Sequence, residues 1–310
     1  MVDIVVTYLN ERDEKWQEDF KYWKDKEIAE GIQTPDNRQA FGEERTREWD
    51  IFKYWFRGIE ANCPWVNKVF VIVQNERHIP EWINRDHPKL RIVYHEEYIP
   101  KELLPTFNAM TICMYVSNIH DLSEKYIMFD DDYYVLNPVL ETRFFRFNRP
   151  VHPNNVVNYQ YYGTDGTDGV FFETLNNNLR FEERFSKKVK YGFYHLPETR
   201  LKSVEQKILK DYGEEIKNHN LPSKFRSKNN LCPYMFNDLL KILQKAVTGN
   251  PYENSCYCNL DSKVDFNYYW DKAMVCFNDT ERLDDYEKTK EKLIEFLEKK
   301  FPNKCSFEKE

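Results

Sequence analysis

The chain has 310 residues, and its 45 Lys and Arg against 52 Asp and Glu leave a net charge of −7. That sign argues against a general nucleic-acid binder, which is normally basic. Aromatic residues make up 16% of the chain and glycines number only 9, which excludes disorder and low complexity, and the length is room for one large α/β domain or two small ones.

Four short runs rich in β-branched and aromatic residues, at 3–8, 69–73, 90–94 and 126–129, predict buried strands. A polar stretch follows the first. Residues 43–60 then carry Ile51, Phe52, Trp55, Phe56 and Ile59 at three- and four-residue spacing, one face of a helix. A second helix is predicted over 107–120, and this rhythm of strands and crossovers implies a mostly parallel sheet. From Asn137 the alternation weakens. Asn- and Tyr-rich loops (154–169) and helical patterns at 173–188, 198–212 and 235–247 predict a largely helical insertion over 137–270. A returning strand at 273–277 and a closing helix at 283–300 complete a single catalytic domain, with residues 1–136 as its α/β part and 271–310 as its closing part.

No apolar run approaches the roughly 18 residues that span a bilayer, and Met1 leads directly into a strand-like stretch instead of a leader. A cytoplasmic protein, at most peripheral at the inner membrane face, is therefore expected. Seven cysteines without framework spacing point to reduced thiols. Cys256 and Cys258 lie one residue apart, not at the two-residue spacing of zinc sites.

In a parallel sheet, ligands bind beyond the carboxyl ends of the strands. Those ends carry Thr7, Asn10 and Asp13, then Gln74 and Asn75, then His95, Glu96 and Glu97, and finally Asp130, Asp131 and Asp132. Three adjacent carboxylates repel one another, and a divalent cation such as Mg²⁺ or Mn²⁺ relieves that repulsion. Neighbouring residues on an extended segment point to opposite sides, so at most two of the three share one metal. A solvated acidic turn is the alternative. His195 is a candidate general base and Arg226 a candidate phosphate clamp, although a structural histidine and a surface arginine are the ordinary roles. Arg45, Arg47 and Arg57 read as a solvated helix face, and Thr106 as the N-cap of the second predicted helix.

In order along the chain, residues 2–10, then 45–132, then His195-Leu196-Pro197 with Phe225-Arg226-Ser227, then 275–279 with 301–302 and 306–308 fall on a family pattern. The middle block opens on Arg45-Thr46-Arg47-Glu48-Trp49, passes through Leu104-Pro105-Thr106-Phe107-Asn108 and closes on Phe129-Asp130-Asp131-Asp132. The chain resembles the Stealth family, sugar-1-phosphate transferases of capsule and cell-surface polysaccharide synthesis.

The resemblance implies a Rossmann-like fold of the nucleotide-sugar transferase type, with residues 1–136 as its nucleotide-binding part. It further implies attack by a glycan hydroxyl on the sugar-proximal phosphorus of a UDP-sugar, with UMP leaving. The acceptor can be lipid-linked. By family position, Asp131 and Asp132, with Asp279, would hold the metal, Asp131 also counting as catalytic. His195 would be the base, Arg226 the clamp, and Asn278 would orient metal or donor. Thr7, Asn10, Gln74 and Arg57 would bind the nucleotide, with Thr106 and Asn108 near the sugar or acceptor. Independently of the resemblance, the Tyr-rich run Tyr159 to Tyr162 is expected to stack on acceptor sugar, with core packing as the alternative. The chain departs from the family pattern at Tyr8, Asn10, Asp130, Asn229 and Asn230. Two alternatives stay open: a metal-dependent glycosyltransferase releasing UDP, and a catalytically weakened binder of UDP-sugar or glycan.

Overall fold

The computed structural model describes residues 1–153, 156–157, 162–165, 168–186, 190–191 and 197–310. Its central sheet has four parallel strands, β1 (Val2–Thr7), β2 (Val69–Val73), β3 (Leu90–Tyr94) and β4 (Lys125–Phe129), in the spatial order β4-β1-β2-β3. These are the four predicted strands, shifted by one residue at most. Alternate side chains serve two cores: Ile4, Val6, Val69 and Val71 pack on one face, and Val5, Phe70 and Ile72 on the other. Burial on both faces explains why these strands read as continuous apolar runs.

Beyond β4, Asp130–Asp132 is a three-residue joint. It hands the chain from the central sheet to β5 (Tyr133–Val135), the edge of a second, three-stranded sheet. An antiparallel strand, β6 (Glu198–Leu201), adds to the outer edge of β4. The second sheet is completed by β7 (Ser255–Asn259) and β8 (Met274–Asn278). The backbone N–H of Phe277 donates to the carbonyl of Asp132 at 2.8 Å, so the end of β8 is tied to the acidic joint.

The helices depart from expectation in instructive ways. The polar stretch after β1 forms a 16-residue helix, α1 (Glu14–Ala29), whose N-cap Asp13 accepts from the Trp16 N–H. The predicted helix over 43–60 is broken: a short 3₁₀ turn (Glu43–Arg45) is followed by irregular chain, and α2 (Phe52–Asn62) starts only after Asp50, whose φ of 57° ends any continuous helix. α2 buries Tyr54, Trp55 and Phe56 completely against the sheet. The second predicted helix shortens to α3 (Ala109–Met114), capped by Asn108 and not by Thr106.

Residues 137–270 hold α4 (Gly169–Glu182), α5 (Lys202–Asn220) and α6 (Met235–Ile242). They also hold strands, and β6 occupies positions predicted as helix. The closing helix is α7 (Tyr286–Lys300). Among the described residues, no helix is long and apolar enough to cross a membrane.

Candidate functional site

The order β3-β2-β1-β4 reverses its winding between β1 and β4, the place where open α/β sheets form a ligand crevice. A cleft of about 340 Å³ opens there, and most of the predicted site residues meet in it. Thr7 and Gln74 line it from the ends of β1 and β2. Asp130, Asp131 and Asp132 enter from the joint after β4, Asn278 and Asp279 from the end of β8, and Thr106 and Arg226 from two neighbouring loops.

The acidic joint is electrostatically strained. Asp131 is open to water in the cleft, yet ringed by protein and by the carboxylates of Asp132, Asp130 and Glu48. Its depth and these like charges push its pKa up to about 8. A second acidic pair lies beside it: burial and the hydrogen-bonded carboxyl of Glu48 raise Glu11 to about 7. Among the described residues no three His, Cys, Asp or Glu side chains converge as a complete ligand set. The hard oxygens of the joint instead fit a cation such as Mg²⁺, which is held by one or two carboxylates and completes its shell with water and substrate phosphate.

Two cations face this acidic wall. Arg226 sits on a loop gripped from behind: its carbonyl accepts from Asn37 Nδ2 at 2.9 Å and Gln33 Nε2 at 3.1 Å, and Glu27 accepts from Ser223 Oγ and Lys224 N–H, each at 2.6 Å. Phe225 stacks on Phe107, with Phe20 of α1 against both. The missed helix α1 is thus the brace of the arginine loop. Arg45 donates to Gln39 Oε1 at 3.1 Å, a neutral partner. Arg45 is open to water in the cleft, yet the protein crowded around it, and then repulsion from Arg226, lower its pKa to about 10. Read as helix surface in the sequence, Arg45 instead lines the cleft, because the helix breaks before Phe52. Its place in the Arg45-to-Trp49 block was the available signal.

Three expected pocket residues lie elsewhere. Arg57 is taken up by Glu308, to which Nε and Nη2 donate at 2.6 and 2.8 Å, and by the Phe301 carbonyl at 2.9 Å, so it anchors the C-terminal segment to α2. Asn10 braces the turn after β1: its N–H donates to His78 Nδ1 at 3.1 Å and its amide to the Arg77 carbonyl at 3.3 Å. Asn108 is fully buried, caps α3 and donates to Asn230 Oδ1 at 2.9 Å and the Phe225 carbonyl at 3.2 Å, which makes it a support of the Arg226 loop. Thr106 borders the cleft but is buried, its hydroxyl accepting from the Asn108 N–H.

Asp279 is in the cleft with both oxygens engaged, by Arg47 Nη1 at 2.6 Å and Trp49 Nε1 at 3.1 Å. Asn278 donates to Asn259 Oδ1 at 3.1 Å. His195 and Tyr159 to Tyr161 lie outside the described residues; Tyr162, the last of that run, stacks on Phe172.

A second lobe of about 380 Å³ adjoins the first and shares Arg45, Arg226, Asp130, Asn278 and Asp279 with it. A larger depression of about 870 Å³, bordered by Glu173, Asn177, His219 and Lys228, touches none of the strand ends. The chemistry points to the two joined lobes.

Residues 45–152, which run from Arg45 through the acidic joint, match the family model described as Stealth protein CR2, conserved region 2. The chain is 31% identical over 348 residues to the capsular polysaccharide phosphotransferase WcwK of Streptococcus pneumoniae, covering 99% of this chain and 98% of the relative. It is 27% identical over 337 residues to the receptor polysaccharide phosphotransferase WefC of Streptococcus oralis, covering 99% of each. Over 121 residues, 38% of this chain and 50% of the relative, it is 44% identical to the capsular polysaccharide phosphotransferase eps5J of Streptococcus thermophilus.

Proposed function

The chain belongs to the Stealth family, and on that premise we propose that it transfers a hexose-1-phosphate from a UDP-sugar to a glycan hydroxyl in capsule or cell-surface polysaccharide synthesis. The observation that carries the reading is the cleft between β1 and β4, where Arg45 and Arg226 face the acidic joint Asp130–Asp132. An acid-lined crevice that also holds cations suits a diphosphate accompanied by a divalent cation, and suits neither a neutral sugar alone nor a polyanion.

The acceptor oxygen forms a bond to the sugar-proximal phosphorus. The bond from that phosphorus to the bridging oxygen breaks, and UMP departs with the electron pair. The hydroxyl proton passes to a base, for which His195 is the family's position. Asp131 and Asp132 would hold a divalent cation, whose chemistry there would be charge neutralisation on the diphosphate. Arg226 and Arg45 balance charge on the phosphoryl oxygens, as a reaction governed by positioning requires. Thr7 and Gln74, beyond β1 and β2, take the nucleotide of a Rossmann-like site. The donor's net charge and the chain's −7 repel at long range, so affinity rests on these local groups.

Loss of activity is not needed to explain the departure at Asn230. Asn230 is fully buried, with its amide donating to the His219 carbonyl and Asn220 Oδ1 and its oxygen accepting from Asn108 and the Ser227 N–H. That is a structural amide behind Arg226. The deciding experiment incubates the protein with a panel of UDP-hexoses, Mg²⁺ or Mn²⁺ and free-sugar acceptors, and reads the spent donor by phosphorus NMR. UMP together with a new phosphodiester supports the reading, UDP supports glycosyl transfer, and an unconsumed donor overturns both.

A further inference from the structure

Of the four arginines bordering the two lobes, Arg38 is matched by Glu44 and Arg47 by Asp279. Arg45 and Arg226 have no carboxylate within ion-pair reach among the described residues, and these two line both lobes. A phosphate between them therefore sits at the junction. Displacement at phosphorus runs in line, with the attacking and leaving oxygens on opposite sides. The leaving nucleotide and the incoming hydroxyl must then occupy different lobes.

The lobes differ in the way this requires. The strand-end lobe carries Thr7 and Gln74, the nucleotide side of an α/β crevice. Phe171, Tyr234 and Tyr257 wall the second lobe, and Tyr257 is 47% exposed. Its polar groups include Glu198, the residue that directly follows the His195-Leu196-Pro197 motif. A pyranose has apolar C–H faces and a rim of hydroxyls, so aromatic faces beside a few polar groups are complementary to it.

We propose that the second lobe is the acceptor subsite: a glycan packs on Tyr257, Tyr234 and Phe171 and presents its hydroxyl to a phosphate held by Arg45 and Arg226, opposite the nucleotide. The assignment rests on the transfer reading above. It makes Arg45 a substrate-binding residue and makes the lobes independently occupiable.

Saturation-transfer NMR with the methyl glycosides of glucose, galactose and N-acetylglucosamine tests it, beside calorimetry with UDP. Glycoside signals are expected to persist at saturating UDP. They should drop about fivefold in Tyr257→Ala and Phe171→Ala, the scale of one lost aromatic contact, with UDP affinity unchanged. Unchanged UDP binding also shows that the variants are folded. Displacement of the glycosides by UDP, full signal in both variants, or no glycoside signal from the wild-type protein overturns the subsite. Absence of UDP binding to the wild-type protein overturns the transfer reading itself, and the subsite falls with it.

Discussion

Arg47 Nη1 donates to Asp279 Oδ1 at 2.6 Å, closing a loop of 232 residues between the irregular segment before α2 and the end of β8. The side chains are only 18% and 10% exposed. Trp49 Nε1 holds the second carboxylate oxygen, and Arg47 lies over the Tyr286 ring at 5.7 Å. One carboxylate thus fixes the segment that delivers Arg45, Glu48 and Trp49 to the cleft.

Removing one side of this pair leaves the other charge poorly solvated. Asp279→Ala is expected to lower stability by about 2–4 kcal/mol in urea unfolding. Arg47→Ala with Asp279→Ala should cost less than the sum of the single changes, because the second removes a charge the first has stranded. Strict additivity would show that the two residues act independently and that the segment is held by something else.

Asp131 gives a pH signature. Its folded pKa, near 8, lies above its unfolded value, so the folded state binds the extra proton and stability falls as pH rises from about 4 to about 8. Melting temperature in the absence of divalent cations should decline across that window, and decline less in Asp131→Asn. Mg²⁺ or Mn²⁺ should restore the wild-type value most at the alkaline end, where no proton has to be displaced. A cation response equal in wild type and Asp131→Asn would remove Asp131 from the metal site.

Asn230→Asp tests whether the amide behind Arg226 is structural. A carboxylate there would set an oxygen against the His219 carbonyl and Asn220 Oδ1, two groups that now accept hydrogen bonds. The expected loss is about 2–4 kcal/mol, with weakened UDP binding following from a loosened Arg226 loop. A stable variant with improved turnover would mean that the family's acid was lost here at a functional cost.

The central sheet was legible because strands covered on both faces need apolar residues at most positions, a local property. The arrangement of charge was not. Glu14–Ala29 is a helix with only Trp16 and Glu27 buried, so its apolar stripe is thin and its charges read as loop. The break at Asp50 depends on a single backbone conformation, and with it the transfer of Arg45 from an expected helix face to the cleft. Residues 198–201, with Glu198 and Arg200 among them, read as the start of the helical pattern over 198–212. They form a buried strand since their charges meet each other, and partner geometry across the fold leaves no periodicity in the chain. That Asp131, Asp132, Thr7 and Gln74 line one cleft follows from a positional rule, the ends of parallel strands, which survives errors in the surrounding elements.

That buried strand carries the last prediction. Arg200, 1% exposed, is the cation between two acids: Nη2 donates to Glu198 Oε2 at 2.8 Å and Nη1 to Glu205 Oε1 at 3.1 Å, while Tyr126 donates to Glu205 Oε2 at 2.6 Å. Burial raises Glu198 to about 7 against the pull of Arg200. Its contribution to stability therefore falls as pH rises from about 4.5 to about 7. Arg200→Met strands both carboxylates and should cost about 3–5 kcal/mol near neutral pH. The loss should shrink towards pH 5, where protonation relieves the acids, and Glu198→Gln with Glu205→Gln in the same background should recover part of it. Urea midpoints across that range decide the matter: a loss independent of pH would mean that Arg200 supports the edge strand by packing against Phe236, whose ring lies 5.1 Å away, and not by charge.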